Sequence, residues 1–247
     1  MQNKLTIHTS AISHGLGCFI AGIGLLKHPK LRRFVWIPLL INICLFSIAT
    51  WGLWTYLMSS IDALLPSWLS WLSWFIIPLF MVSMLTIVYY TFTLISNIIA
   101  APFYGQLAKN VEAHLKGHPF IEKTDGYFVA DMLGMISSEV RKQLYYLVRA
   151  LPLLMLSMIP GVNIIALPAW LLFSAWFLSF EYAGYTFENH GVLFNEQKNI
   201  LANFKLPGMA FGGVSLLATA IPIVNLFAPA IAVAGATKML YERGELD

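Results

Sequence analysis

Charged residues are scarce in this sequence. Aspartate, glutamate, lysine and arginine make up 11% of its 247 residues, against about 25% in an ordinary soluble domain. That is too little charge to cover a water-facing surface. The apolar residues, 58% of the chain, are therefore expected to face lipid. Cysteine is nearly absent too. Cys18 and Cys44 lie in apolar or glycine-rich text without a CxxC spacing, so small buried residues are expected rather than a disulfide. His114 and His118 stand four apart, but Gly117 and Pro119 break the helix that would align them. No metal site and no cofactor are expected. No GxSxG, HExxH, phosphate-loop or dinucleotide fingerprint appears, so neither enzymatic chemistry nor ATP hydrolysis is indicated. The few carboxylates are expected mostly in water-exposed connectors. With no ionisable group in mid-span, a buried proton relay lacks residues. A cleavable leader is not apparent either: 1–10 are polar and the glycine-broken stretch after them has no small-residue cleavage pattern.

What is present is a set of long charge-free runs. A spanning helix needs about 20 apolar residues to cross about 30 Å of hydrocarbon. The run 34–62 has no charge before Asp62, and 63–108 has none at all. These predict two membrane spans, about 30–58 and about 70–101. Pro29 sits near the first turn of the former, where a missing N–H costs nothing, and Pro38 is a candidate kink. Trp68, Trp71 and Trp74 recur every third residue before the second span, as in an interfacial aromatic belt. Beyond Pro102 the helix is expected to continue into water, opening a cytoplasmic helical connector, 102–149.

The runs 150–180 and 206–237 have another character. Each holds about 31 residues and a proline near its middle, Pro160 and Pro222. Halves of about 12–16 residues rise only about 18–24 Å, short of the hydrocarbon thickness. They predict two re-entrant hairpins, about 150–182 and 206–240, each leaving on the side where it began. The two also repeat each other. IPGVNIIALPA begins at Ile159 and IPIVNLFAPA at Ile221. Broken hydrophobic repeats of this sort point to a transport pathway, although a duplicated packing hairpin would leave the same trace. Asn163 and Asn225 hold equivalent turn positions, suited to satisfying the backbone groups a turn leaves open.

The distribution of charge sets the expected topology. All 15 lysines and arginines lie outside the loop between the two long spans, whose one charge is Asp62, and 1–33 contain no acid. The positive-inside rule then places the connectors and both termini in the cytoplasm. The most concentrated chemistry is Gly22-Ile23-Gly24-Leu25-Leu26-Lys27-His28-Pro29-Lys30-Leu31-Arg32-Arg33. Here a glycine-containing turn leads into a helix N-terminus bearing Arg32 and Arg33. Free backbone N–H groups, the helix dipole and guanidinium forks all favour an oxyanion. Basic residues at the cytoplasmic end of a first span are also an ordinary topology signal, and the two readings are compatible. Glu188-Asn189-His190 is expected to form a polar network.

Several blocks, in order, resemble one family. LRRFVWIPLLIN (31–42), IAAPFYGQLAKNVE (99–112), Arg149-Ala150 leading to IPG, PAWLLFSAWFLSFEYAGYTFENH (168–190) and IPIVNLFAPAIAVAGATKM (221–239) are similar to the CysZ sulfate permeases of bacterial inner membranes. The resemblance covers about 15–243. Thr186 stands where that family commonly has proline, and Lys198 where it has arginine. The resemblance implies a single all-α integral membrane domain, 1–247, with two long transmembrane helices, two hemi-penetrating hairpins and cytoplasmic amphipathic helices. It implies sulfate uptake for cysteine synthesis without ATP, and a homo-dimer or higher homo-oligomer in the lipid bilayer of the inner membrane. Nucleic acid is not an expected partner. It further implies that sulfate is held at Gly24, Leu25, Leu26, Lys27, Arg32 and Arg33, with Pro160, Asn163, Pro222 and Asn225 marking hairpin turns and a possible pathway. The rival expectation is a non-transporting scaffold whose hairpins are wedged into one leaflet.

Overall fold

The computed structural model describes residues 2–64, 73–119, 128–192 and 194–246. Within them the chain is helical, without a strand. In order come α1 (Gln2–Leu25), α2 (Pro29–Leu64), α3 (Ser73–Leu115), α4 (Phe128–Ser157) and α5 (Asn163–Asn189). After these follow α6 (Phe194–Asn203), α7 (Lys205–Ala220), the one-turn α8 (Pro222–Asn225) and α9 (Ala228–Tyr241). The chain divides into two compact units, Met1–Trp36 with Ala101–Asp247, and Ile37–Ala100.

The unit Ile37–Ala100 takes most of α2 and the first two-thirds of α3. Among its described residues, Ile48, Trp51, Phe75, Leu79 and Val82 are all well exposed. Four hydroxyls on these helices are satisfied within the helix. The hydroxyls of Ser47, Thr55, Ser83 and Thr86 each donate to the carbonyl four residues back, at 2.7–2.8 Å. A lipid-facing helix needs this, because nothing in hydrocarbon can accept the hydrogen bond instead. Pro29–Tyr56 is long and apolar enough to cross a membrane, close to the expected first span. Over the second expected span the helix runs from Ser73; 70–72, Trp68 and Trp71 lie outside the described residues, as does the side chain of Trp74.

The larger unit is built on close helix contact. α1 packs antiparallel to α9, and glycine makes this possible: a Cβ on Gly235 would stand 2.6 Å from the Cys18 carbonyl oxygen, and one on Gly22 would strike the Ile231 carbonyl. Gly212 of α7 meets the Ala175 backbone of α5 in the same manner. Phe180, Tyr185, Phe187, Phe211, Met239 and Leu240 fill the interior around these contacts. α4 folds back on α5 across 158–162, where Gly161 takes φ 85°, and Trp170 Nε1 donates to Ser157 Oγ at 3.1 Å.

The repeat is visible in the backbone. Asn163 N–H donates to Ile159 O at 3.1 Å and Asn225 N–H to Ile221 O at 2.8 Å. Both turns thus close on the residue before the proline, through main-chain N–H groups rather than the asparagine side chains, which are exposed. α7 and α9, of 16 and 14 residues, have the short lengths expected of the second hairpin. The first hairpin corrects the length argument. α5 has 27 residues, about 40 Å, and is itself long and apolar enough to cross a membrane. Its helix passes through Pro168 and on through Glu181 and Glu188, because Glu181 is buried in the protein and Glu188 pairs with Lys142. Counting from the break to the next charge therefore underestimates the helix. α6, joined to α7 at 104°, was not foreseen.

Candidate anion site and buried charge cluster

The turn between α1 and α2 is closed by its own backbone. Leu26 N–H donates to Gly22 O, Lys27 N–H to Gly24 O and His28 N–H to Leu25 O, at 3.1–3.2 Å. His28 then caps α2. Its carbonyl accepts from Leu31 N–H at 3.0 Å and Arg32 N–H at 3.3 Å, and its Nδ1 accepts from Lys30 N–H at 3.3 Å. Pro29 has no N–H to offer. The free amides expected at this helix N-terminus are thus occupied, and recognition of an anion falls to side chains.

Three of the six expected site residues come together. Leu26, Lys27 and Arg32 line a cavity of about 290 Å³ with Ile23, Val35, Trp36, Phe227 and Ile231. It has room for a tetrahedral anion with water around it, since a water takes about 30 Å³. Gly24 and Leu25 contribute carbonyls to the turn, and the Arg33 guanidinium lies 4.8 Å from the Phe34 ring centroid; none of these three is part of the cavity wall. Phe227 and Ile231, just beyond the turn of the second broken segment, were missed in the sequence. Phe227 meets Trp36 edge-on, with ring centroids 6.1 Å apart. The near repeat at Ile221 was the available signal that this turn had a role. Pro160 and Asn163, at the other turn, line no part of this cavity, nor does Asn225; the side chain of Pro222 lies outside the described residues.

A second cavity, about 340 Å³, holds Lys109, Lys116, His118 and His190. It suits an anion less well. Glu112 stands in its wall, paired with Lys116 at 3.0 Å and His190 at 2.8 Å. Among the described residues no carboxylate lines the cavity at Arg32, where the charged groups are Lys27 and Arg32.

The sequence also gave no sight of a buried ionic cluster between α4 and α5. Lys142 Nζ lies 3.2 Å from Glu139 Oε2 and 3.1 Å from Glu188 Oε1, with the Lys142 and Glu139 side chains fully enclosed. Tyr185 O–H donates to Glu139 Oε2 at 3.0 Å, Ser138 O–H to Glu188 Oε1 at 2.7 Å, and the ammonium stands 4.0 Å above the Tyr185 ring. Burial works against the ammonium, but the fields of Glu139, Glu188 and Glu181 outweigh it and hold Lys142 above the ordinary lysine value. Gly184 leaves room for this: a Cβ there would lie 3.3 Å from Nζ. The expectation of solvated carboxylates is thereby corrected for Glu139 and Glu181, both buried. Glu188-Asn189-His190 does form a polar network, in which Asn189 Nδ2 donates to Gly105 O at 2.9 Å. Glu188 Oε2 and Asn189 Oδ1 remain without partners in it. Cys18 is a buried thiol, as expected, but Cys44 is exposed, a correction that follows from its place on the outward face of α2; α3 stops at Leu115, before His118.

An all-helical chain with apolar helices of spanning length and a basic cavity beside a proline-broken hydrophobic segment has the construction of a membrane protein that handles anions. Residues 18–229 match the family model described as "Sulfate transporter CysZ/Etoposide-induced protein 2.4". Among similar proteins, the sulfate transporter CysZ of Pectobacterium atrosepticum is 40% identical over 243 residues, 96% of this chain and 88% of its own length. Those of Pseudomonas aeruginosa and Pseudomonas paraeruginosa are 41% and 40% identical over 232 residues, 91% of this chain and 93% of theirs. The chain belongs to the CysZ family. That is a family of transporters, and the expectation that the chain is not an enzyme rests on this membership.

Proposed function

We propose that this protein carries sulfate into the cell across the bacterial inner membrane, supplying cysteine biosynthesis, and that the ion is first held by Lys27 and Arg32. The observation that carries the reading is the cavity of about 290 Å³ in which these two cations face the turn of a proline-broken segment, in a chain whose relatives are named sulfate transporters. A guanidinium fork and an ammonium match a tetrahedral dianion in geometry and charge. Uptake needs a driving force. Moving a dianion inward against 100 mV, negative inside, costs about 4.6 kcal/mol, twice the single-charge figure. A sulfate or coupled-ion gradient supplies it in this reading, and ATP does not.

Both broken segments serve as re-entrant hairpins in this proposal, with 102–149 and both termini in the cytoplasm. Support comes from the exposed, charge-free tips: Met158, Ile159, Ile164 and Ile165 on the first, Ile221, Ile223 and Leu226 on the second. Surfaces of this kind belong in lipid or against another protein. A homo-dimer or larger homo-oligomer, with the hairpins lining a path, completes the reading.

Calorimetric titration of the purified protein with sulfate, phosphate serving as control, tests the site. Lys27→Ala and Arg32→Ala each remove a charge-assisted bond of about 1.5–3 kcal/mol, roughly tenfold or more in affinity. Arg33→Ala should have a smaller effect. Equal sulfate binding by wild type and the Lys27→Ala, Arg32→Ala double variant would retire the assignment.

A further inference from the structure

His14, Cys18 and Glu242 form a second cluster, at the far end of the α1–α9 pair from the anion cavity. The spacing of four puts His14 and Cys18 on one face of α1, and the antiparallel packing brings Glu242, the first residue beyond α9, against them. His14 Nδ1 lies 3.7 Å from Glu242 Oε2, Cys18 Sγ lies 3.6 Å from the same oxygen, and Sγ lies 3.8 Å from His14 Nε2. One ligand atom from each residue falls within 4.8 Å of the other two. Tetrahedral zinc, with bonds of about 2.0–2.3 Å to nitrogen, oxygen and sulfur, sets its ligands roughly 3.3–3.8 Å apart. The histidine turns Nδ1 to Glu242 and Nε2 to Cys18, and with one nitrogen the three ligand atoms lie within 4.8 Å of one another, so closing on the ion takes a small shift of the side chains.

We infer that His14, Cys18 and Glu242 constitute a binding site for a borderline divalent cation of the zinc class. Imidazole, thiolate and carboxylate together select such a metal over magnesium or calcium, which take oxygen ligands. Cys18 is buried, while His14 and Glu242 are about one-third exposed. A cation therefore reaches the site from solvent and binds against a dry sulfur. Lys238 holds the other oxygen, Glu242 Oε1, at 3.1 Å. This fixes the carboxylate with Oε2 turned to the cluster. Three protein ligands leave a fourth position for water or a small ligand. The metal staples α1 to the end of α9, two helices whose opposite ends frame the anion cavity.

Cobalt(II) is the probe, because a thiolate–cobalt bond gives a charge-transfer band and a tetrahedral site gives strong visible bands. Full-length protein in detergent is titrated with cobalt and then with zinc. The inference expects one equivalent of cobalt, a thiolate band, and displacement by zinc. Cys18→Ser, close in size, should abolish the band, while Cys44→Ser keeps it. Glu242→Gln, at the exposed end of the cluster where folding is not at stake, should weaken cobalt about tenfold or more. Absence of a thiolate band in the wild type, a band that survives Cys18→Ser, or unchanged affinity in Glu242→Gln would each overturn the site.

Discussion

Lys142 has no exposed surface and touches two carboxylates and an aromatic face. Removing its charge leaves Glu139 enclosed without its ion-pair partner, a change that typically costs about 3–5 kcal/mol. Lys142→Met should therefore lower the unfolding midpoint sharply, and more than Arg141→Met, which alters an exposed neighbour. The titration of Lys142 itself adds no pH dependence across the neutral range. A lysine held above its ordinary value when folded gives its full stabilisation below the unfolded value of about 10.4, and loses it as pH rises through the folded one. A lower midpoint for Lys142→Met than for Arg141→Met, read by thermal unfolding in detergent, is the expected outcome; equal midpoints would contradict the pairing. None of this was legible in the sequence. Glu139 and Lys142 are neighbours at i, i+3, but Glu188 comes from another helix, and only tertiary packing reveals that all three face inward. Arg32 and Lys27 were legible, because a basic turn before a helix stands out in an acid-free segment.

At the scale of elements, α1 and α9 approach as closely as their glycines permit. Gly235→Val would drive a side chain into the Cys18 carbonyl, 2.6 Å from its Cβ, and backbone cannot yield as a side chain would. Overpacking of this kind costs typically 1–3 kcal/mol. Gly17 of the same α1 has open space around it, so Gly17→Ala should stabilise by about 0.5–1 kcal/mol, the cost of glycine in a helix. Opposite shifts of the unfolding midpoint are expected, and a neutral Gly235→Val would contradict the close contact. The proline breaks and the repeat could be read directly, since proline and charge-free text are local signals. Helix ends at acids could not, as α5 shows by running through Glu181. The proposed hairpins are tested separately. Ile164→Cys and Ile223→Cys, on a Cys18→Ser, Cys44→Ser background, place single thiols at exposed positions near each turn. In membranes both should resist an impermeant maleimide applied from either side. Labelling of either thiol from the outer side would mean a complete crossing.

The whole molecule presents an apolar exterior with charge concentrated on particular segments and turns. Trp51, Phe75, Ile164 and Ile223 are each more than 70% exposed, which water would not tolerate over so many elements. Bilayer placement follows from that surface, and composition alone had already announced it. The proposed sulfate binding rests on more, namely on a cavity whose wall combines the first turn with the second broken segment, and this joining appears only in three dimensions. Uptake of radiolabelled sulfate into proteoliposomes is the most direct test. Wild-type protein should give saturable uptake above empty vesicles, with the Lys27→Ala, Arg32→Ala double variant reduced at least tenfold at limiting sulfate. Uptake by the wild type no greater than that of empty vesicles, or a double variant as active as the wild type, would contradict the account.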